Sequence, residues 1–483
     1  MNTISMLIDG ASVPAHDGHT FERRNPLDGS VATRAPAASP ADAIAAVDAA
    51  ARAFPAWSAT GPSRRRELLL KAAHALEAKA PAFAAAIAAE TGGSGLWAGF
   101  NVHLAAGMLI EAAAMTTQVS GEIIPSDVPG SLAMAVRQPA GVVLGMAPWN
   151  APVILGVRAV AAPLACGNTV VLKGSELCPA THGLIAQALQ EAGFPDGVVN
   201  YVTNAPSDAG EVVEAMIAHP AVRRVNFTGS TRVGKIIAAV CARYLKPVVL
   251  ELGGKAPVLV LDDADLDAAV HGTAFGAFAN SGQICMSTER IIVDQAIADV
   301  FVEKLVSKVS GLPLGDPRKG PVVLGSVVDM ATVTRCNALI DDALAKGAKL
   351  VCGGKAETTL MPATLLDFVT KDMAIYNEES FGPVKPIVRV SGEEAAIACA
   401  NDNAYGLSSA VFTRDSARGL RVAALIQSGI CHINGPTVHD EAQMPFGGVK
   451  DSGFGRFGGK AGIAEFTDLR WVTMQTSPRH YPF

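Results

Sequence analysis

The sequence predicts an α/β protein of two or three domains that carries a small β-ribbon. From Gly141 onward, short apolar strand-like runs alternate with helical segments. That alternation is the mark of right-handed βαβ units and a parallel sheet. The alternation starts again at Ala256, after the pair Gly253-Gly254, without a sequence repeat. The chain has 483 residues, more than one hydrophobic core can organise.

The elements follow in order. Met6–Ile8 and the Gly/Pro-punctuated residues to Gly29 read as short strands and turns. Pro40–Phe54 is Ala-rich with helical spacing, Ser63 offers an N-cap to a helix running through Lys79, and helical stretches cover Pro81–Glu90 and Leu96–Met115. Gly121–Arg137 carries two apolar runs around Pro129-Gly130, a ribbon pattern. Strands are expected at Gly141–Met146, Thr169–Lys173, Val198–Val202, Val222–Thr228 and Lys246–Leu250. Helices fall between them, around Arg158, Thr181–Glu191 and Arg232–Tyr244. The second unit opens with the strand Ala256–Leu261 and a helix from Asp265 to Asn280. The strand Arg290–Val293 and the helix Ala296–Ser310 follow, with further βα units to about Ile430. Gly429–Arg456 is loop-rich, Lys460–Phe466 helical, and Leu469–Met474 a terminal strand.

Composition narrows the function classes. The chain is 49% hydrophobic with a net charge of −6 and both signs scattered. No basic block suggests nucleic acid or an anionic membrane. No run of about 18 apolar residues suggests a membrane span. Met1–Glu22 lacks a basic-then-apolar signal pattern, which leaves the cytoplasm as the expected location. Eight cysteines without a CxxC, and ten histidines without an HExxH, predict neither a disulfide framework nor a metal site.

Several residues carry candidate chemistry, each beside a plainer reading. Cys285 follows the turn Gly282-Gln283-Ile284; a thiol attacks as a thiolate, yet most cysteines are small buried hydrophobes. Glu251 ends the apolar strand Val248–Leu250, at the sheet edge where α/β folds place ligands, and would otherwise be a rim charge. Gly229-Ser230-Thr231-Arg232-Val233-Gly234 links a strand to a helix, where backbone N–H groups favour a phosphate. It is not a GxGxxG motif, and an ordinary βα turn reads the same way. A mechanical dinucleotide reading would give Glu251, about twenty residues on, to ribose hydroxyls instead of to catalysis. Lys173 and Glu176 close another strand and suit a polyol, where the carboxylate would repel a 2′-phosphate; a solvated pair is the alternative. Asn150 could stabilise an oxyanion or cap a helix, with the cap favoured. Arg158 could meet a polar substrate group or form a structural ion pair, and Trp97 sits in an apolar helix typical of a core.

Taken together, these residues resemble the aldehyde dehydrogenase superfamily over nearly the whole chain. The resemblance is carried by Pro148-Trp149-Asn150, Lys173 with Glu176, Phe227-Thr228-Gly229-Ser230-Thr231, Glu251-Leu252-Gly253-Gly254-Lys255, Gly282-Gln283-Ile284-Cys285, Glu379-Ser380-Phe381-Gly382-Pro383 and Pro445-Phe446-Gly447-Gly448. It implies a Rossmann-like cofactor domain (1–118 and 139–250), an α/β catalytic domain (251–455) and oligomerisation segments (119–138 and 456–483). It implies Cys285 as nucleophile, Glu251 as base and Asn150, with the Cys285 backbone N–H, as oxyanion hole. Trp149, Lys173, Glu176, Gly229, Ser230, Gly234, Leu252, Glu379 and Phe381 would hold the cofactor, NAD rather than NADP.

Leu96–His103, Cys285–Arg290 and Met361–Thr364 are most similar to the bacterial salicylaldehyde, vanillin and benzaldehyde dehydrogenases. That narrower resemblance implies an aromatic aldehyde as substrate, walled by Trp97, Ile154, Arg158, Met286, Phe446 and the loop Pro436–Met444. Leu324-Gly325-Ser326 departs from the Gly-Pro of many members. The implied reaction runs through a cysteine thiohemiacetal and a thioester to the carboxylic acid, in a homodimer or homotetramer. The alternatives are aliphatic aldehydes or semialdehydes, release of the thioester to CoA, a cysteine hydrolase without cofactor, and a non-catalytic ligand-binding member.

Overall fold

The computed structural model describes residues 2–483. Two large sheets carry the molecule. The first has eight strands in the order Gly453–Phe454, Val248–Glu251, Val222–Thr228, Val142–Met146, Thr169–Lys173, Val199–Val202, Met6–Ile8 and Ala11–Val13. Its five central strands are parallel and its outer pairings antiparallel. Val142–Met146, Thr169–Lys173 and Val199–Val202 are buried throughout, as mostly apolar parallel strands require, while Val222–Thr228 leaves Arg223 exposed.

The second sheet has seven strands, ordered Lys349–Cys352, Thr364–Asp367, Val384–Val390, Arg290–Asp294, Pro257–Val260, Ser408–Phe412 and Ile430–Ile433. All its pairings are parallel except the first. A three-stranded ribbon joins Thr467–Gln475, Ser131–Pro139 and Glu122–Ile124 in antiparallel register. A small sheet of Asn2–Thr3, Val31–Pro36 and Thr20–Arg24 completes the strands.

In the first sheet the chain runs outward from Val142–Met146 to Thr169–Lys173 and Val199–Val202, then returns to the other side of its starting strand at Val222–Thr228. The loops after Val142–Met146 and Val222–Thr228 therefore part at their carboxyl ends, and a crevice opens between them.

Several expectations are corrected. The helix Pro62–Ala78 is preceded by Gly61 with no side-chain cap, so Ser63 lies inside it. Pro62, with its fixed φ, starts the helix instead. The helix expected to reach Asn280 stops at Phe278, because Asn280 and Ser281 turn left-handed. Asn150 does not cap the next helix, which runs Pro152–Ala165 with Ala151 at its N-cap position.

Gly95–Met115 is long and apolar enough on average to cross a membrane, though Asn101, His103 and Glu111 interrupt its apolar run. Its face Ala98, Val102, Ala105, Leu109 and Ala112 is buried, and the helix packs on Pro62–Ala78 and Pro152–Ala165. Its alanines serve close helix packing. Finally, the segment assigned from 456 onward to oligomerisation divides. Gly459–Glu465 is a helix against Gly95–Met115 and Pro152–Ala165, and Ile463 and Phe466 lie in the first core, so the ribbon begins only at Thr467.

Candidate active site

The turn before Cys285 is built from backbone conformations that few residues adopt. Asn280 (φ 49°), Ser281 (φ 54°) and Gly282 (φ 73°) are all left-handed. Two non-glycine residues there store strain, of order 1–3 kcal/mol each. Side-chain bonds hold the turn. Ser281 Oγ donates to the Gly325 carbonyl, Gln283 Oε1 accepts from the Val328 N–H, and Asn280 Nδ2 donates to the Asn150 carbonyl at 2.9 Å. Gly282 cannot carry a side chain, since a Cβ would sit 2.3 Å from the Gly382 oxygen. The turn thus presents Cys285 half-buried at the end of the segment.

Two cavities meet there. One is a cleft of about 440 Å³ at the first sheet's crevice, between Trp149-Asn150, Thr228–Arg232, Glu251, Gly253, Glu379 and Phe381. The other is an apolar channel lined by Trp97, Ile154, Ile284, Met286, Val438 and Phe446. Asn150 and Cys285 belong to both. A group bound in the cleft and a molecule in the channel would approach each other over the sulfur.

Asn150 is fixed from three sides. Its Nδ2 donates to the Gln283 carbonyl at 3.1 Å, and its own carbonyl accepts from Asn280 Nδ2 and from Trp97 Nε1 at 2.8 Å. One amide hydrogen is used, and the second remains for a substrate oxygen. The Cys285 backbone N–H donates to no protein acceptor among the described residues. Two free donors beside a nucleophile are what an oxyanion hole requires.

The carboxylates differ sharply. Glu251 is 1% exposed and neither of its oxygens has a hydrogen-bond partner. Burial pushes its carboxyl up to about 7, against the smaller opposing influence of the neighbouring Cys285. Burial, then the Glu251 charge, holds the Cys285 thiol well above its usual value, so the resting sulfur is protonated. Glu251 is the adjacent group whose affinity suits it to take a proton at neutral pH. Glu379 is likewise pushed up to about 7 by burial, and it accepts from the Gly254 N–H at 3.0 Å.

Beneath these, Glu289 is 1% exposed but fully paired. It meets Lys255 Nζ at 3.0 Å and Lys385 Nζ at 2.5 Å, and accepts from the Ser380 N–H and Oγ. Burial would raise its carboxyl, but Lys385 and Lys255 overcome this and bring it down to about 2. Lys255 also donates to the Glu378 carbonyl. The network therefore ties the Gly253–Lys255 loop to the Glu378–Ser380 loop and sets the position of Glu379. Sequence reasoning did not single out Glu289 or Lys385, nor Phe100, which lines the channel, or Tyr405, which lines the cleft. A glutamate and an arginine opening the apolar run Ile291–Val293 were the available signal for the first.

The remaining expected residues divide. Lys173 and Glu176 pair at the carboxyl end of their strand, and Asn204 Nδ2 also donates to Glu176 at 2.9 Å. Gly229 needs its missing side chain, since a Cβ would sit 2.4 Å from the Phe227 ring, and Ser230 caps the following helix. Phe381 meets Trp149 edge-on at 5.8 Å. Gly234 and Leu252 do not line the cleft. A Cβ on Gly234 would sit 2.4 Å from a Leu252 methyl, so the glycine lets the helix settle onto that core leucine. Trp97, Ile154, Met286 and Phe446 wall the channel. Arg158 walls it too, but as an ion pair with Asp440, its guanidinium stacked 4.1 Å over the Phe446 ring. The ion-pair reading of Arg158 holds, and the paired side chain borders the channel.

Comparison with known proteins places this geometry. A sequence model of the aldehyde dehydrogenase family matches residues 13–472. The chain is 63% identical over 482 residues to a vanillin dehydrogenase of Pseudomonas fluorescens, covering all of both proteins. It is 52% identical over 479 residues, 99% of each chain, to a salicylaldehyde dehydrogenase of Pseudomonas putida. The crystal structure of a salicylaldehyde dehydrogenase from Pseudomonas putida G7, complexed with salicylaldehyde, superposes with a TM-score of 0.99 at 51% identity, covering 100% of each chain.

Proposed function

This chain belongs to the aldehyde dehydrogenase family, and from that premise we propose that it oxidises an aromatic aldehyde to the carboxylic acid with NAD, through Cys285. The observation that carries the reading is the meeting of the cleft and the apolar channel at Cys285 and Asn150, beside an unpaired, buried Glu251.

The residues of the cleft fit a nicotinamide dinucleotide. Gly229 allows close backbone approach, Ser230 lies at a helix N-terminus, and the buried Glu379 carboxylate suits ribose hydroxyls. Lys173 and Glu176, at the end of a neighbouring strand, suit a second ribose. The Glu176 carboxylate disfavours a 2′-phosphate, which supports NAD over NADP. When bound, the cofactor supplies the hydride acceptor.

The chain's own groups do the rest. The apolar channel takes an aromatic ring and directs its aldehyde carbon to Cys285. Glu251 accepts the thiol proton, and the sulfur adds to the carbonyl carbon. The Asn150 amide and the Cys285 N–H receive the oxyanion. After oxidation the carbon is held as a thioester on Cys285. Glu251, once it has passed the thiol proton to solvent, takes a proton from water, which attacks the thioester; the adduct collapses to the acid, and the leaving sulfur regains a proton from Glu251. A carboxylate free of partners favours hydrolysis over transfer to CoA. Replacing Cys285 by Ala is expected to abolish aldehyde-dependent NADH formation; turnover at the wild-type rate would remove the nucleophile from this scheme.

The ribbon supports a subunit contact. Ile123, Leu469, Trp471 and Met474 project from it, with Trp471 79% exposed. They lie on both faces of the ribbon, Leu469 and Trp471 on one and Ile123 and Met474 on the other, and apolar side chains left exposed in this way ask for cover. Light scattering is expected to return at least a dimer.

A further inference from the structure

The channel has a polar end. Asp440 has a side chain only 6% exposed and is paired through Oδ2 to Arg158. Its other oxygen, Oδ1, is buried and has no hydrogen-bond partner. Asp440, Arg158 and Phe446 line the channel that holds Cys285, and the same three line a second cavity beyond it that does not reach Cys285, Asn150 or Trp97. They therefore stand where the channel meets that second cavity, which Cys285 does not line. A carboxylate oxygen left bare in such a place carries an uncompensated desolvation cost. A donor arriving with the substrate removes it.

We infer that Asp440 Oδ1 is the acceptor for a hydroxyl on the substrate ring, placed on the side of the ring remote from the aldehyde, and that this contact selects ring-hydroxylated aldehydes. The inference rests on the aromatic-aldehyde reading above. Three features define the ligand chemistry. Arg158 is neutralised by Asp440, so the pair presents no net charge to a second carboxylate and gives no advantage to an aldehyde bearing one. The acceptor-only oxygen wants an O–H donor, which a methoxy group lacks. The guanidinium stacked on Phe446 and held by Asp440 fixes the carboxylate, so the acceptor is already oriented before the substrate arrives. Sites built to receive a hydrogen bond reject the analogue without it more strongly than apolar walls reject an extra methyl.

The test compares benzaldehyde, 3- and 4-hydroxybenzaldehyde and 3- and 4-methoxybenzaldehyde in the wild-type enzyme with NAD. At a pH that keeps the phenols protonated, hydroxy and methoxy groups have similar electronic effects on the aldehyde, and the change of their ratio between the wild type and D440N separates the donor from the size of the methyl. The hydroxy compound at the better of the two ring positions is expected to exceed its methoxy partner in kcat/KM by about tenfold to a hundredfold, mostly through KM. In Asp440→Asn, Arg158 can be satisfied only by the amide oxygen, which turns the amide N–H toward the channel and replaces an acceptor by a donor. The hydroxy/methoxy ratio is expected to collapse toward unity in that variant. If D440N does not fold, the wild-type ratios alone decide. Equal ratios for hydroxy and methoxy compounds at both positions, with benzaldehyde oxidised normally, would overturn the inference and leave the aromatic-aldehyde reading standing. Oxidation of aliphatic aldehydes but no aromatic one would overturn both.

Discussion

Glu289 and Glu251 are both 1% exposed, yet they are opposite devices. Glu289 is surrounded by two lysines and a serine that use its oxygens, and sits at about 2. Glu251 has no partner and sits at about 7. Burial is the same; pairing decides. A paired carboxylate is a fixed charge that ties loops together. An unpaired one is a proton acceptor at neutral pH, kept at a cost in stability.

The sharpest way to break this comparison is to make both carboxylates amides. Glu251→Gln is expected to lower steady-state acid production by roughly 10²–10⁴-fold, with acyl-enzyme accumulating on Cys285 where mass spectrometry can detect it. Unchanged turnover would remove Glu251 from the chemistry. Glu289→Gln should leave Lys255 and Lys385 buried without their counter-charge, costing about 3–5 kcal/mol. Its denaturation midpoint is expected to fall steeply, a loss that Glu251→Gln does not share.

Stability against pH separates the two carboxylates further. The Glu251 pKa is raised in the folded state, from 4.5 to about 7. The stability tied to its protonated form is therefore complete below about pH 4.5 and lost as pH rises through 7. Glu251→Gln should then be more stable than the parent at pH 8, by on the order of 1–3 kcal/mol, and nearly equal at pH 5. For Glu289, whose pKa is depressed, stability is present above 4.5 and lost as pH falls toward 2. Acid production should also rise with pH through about 7, and a flat profile would show that Glu251 does not limit it. The smallest effect concerns Glu379, buried like Glu251 but bonded to Gly254. Glu379→Gln is expected to raise KM for NAD by about tenfold, with less change in KM for the aldehyde.

The cysteine turn was legible because its signals are local: a glycine at an obligatory left-handed position, between an apolar helix and a strand. The strands were legible for the same reason, as continuous buried Val/Leu runs. Asn150 was not. Its position before a helix suggested a cap, but the amide bonds to Gln283, 133 residues on. Gly234 was read as a phosphate contact because it closes a glycine-flanked turn, while its use is to clear Leu252, eighteen residues away in sequence. Motif spacing shows which residues share a loop, but not which way each faces.

The sequence by itself determined the two α/β units, the glycine turn before Cys285 and the identity of the thiol and carboxylate that chemistry requires; the left-handed Asn280 and Ser281 came only with the structure. Only the tertiary structure decided what each ionisable group would be. Glu289 is anchored because Lys385, 96 residues away, arrives beside it. Asp440 keeps one oxygen bare because Arg158, 282 residues away, engages only the other. The strength of a charge depends on the water removed from it and the partners brought to it, and neither exists until distant segments of the chain have packed.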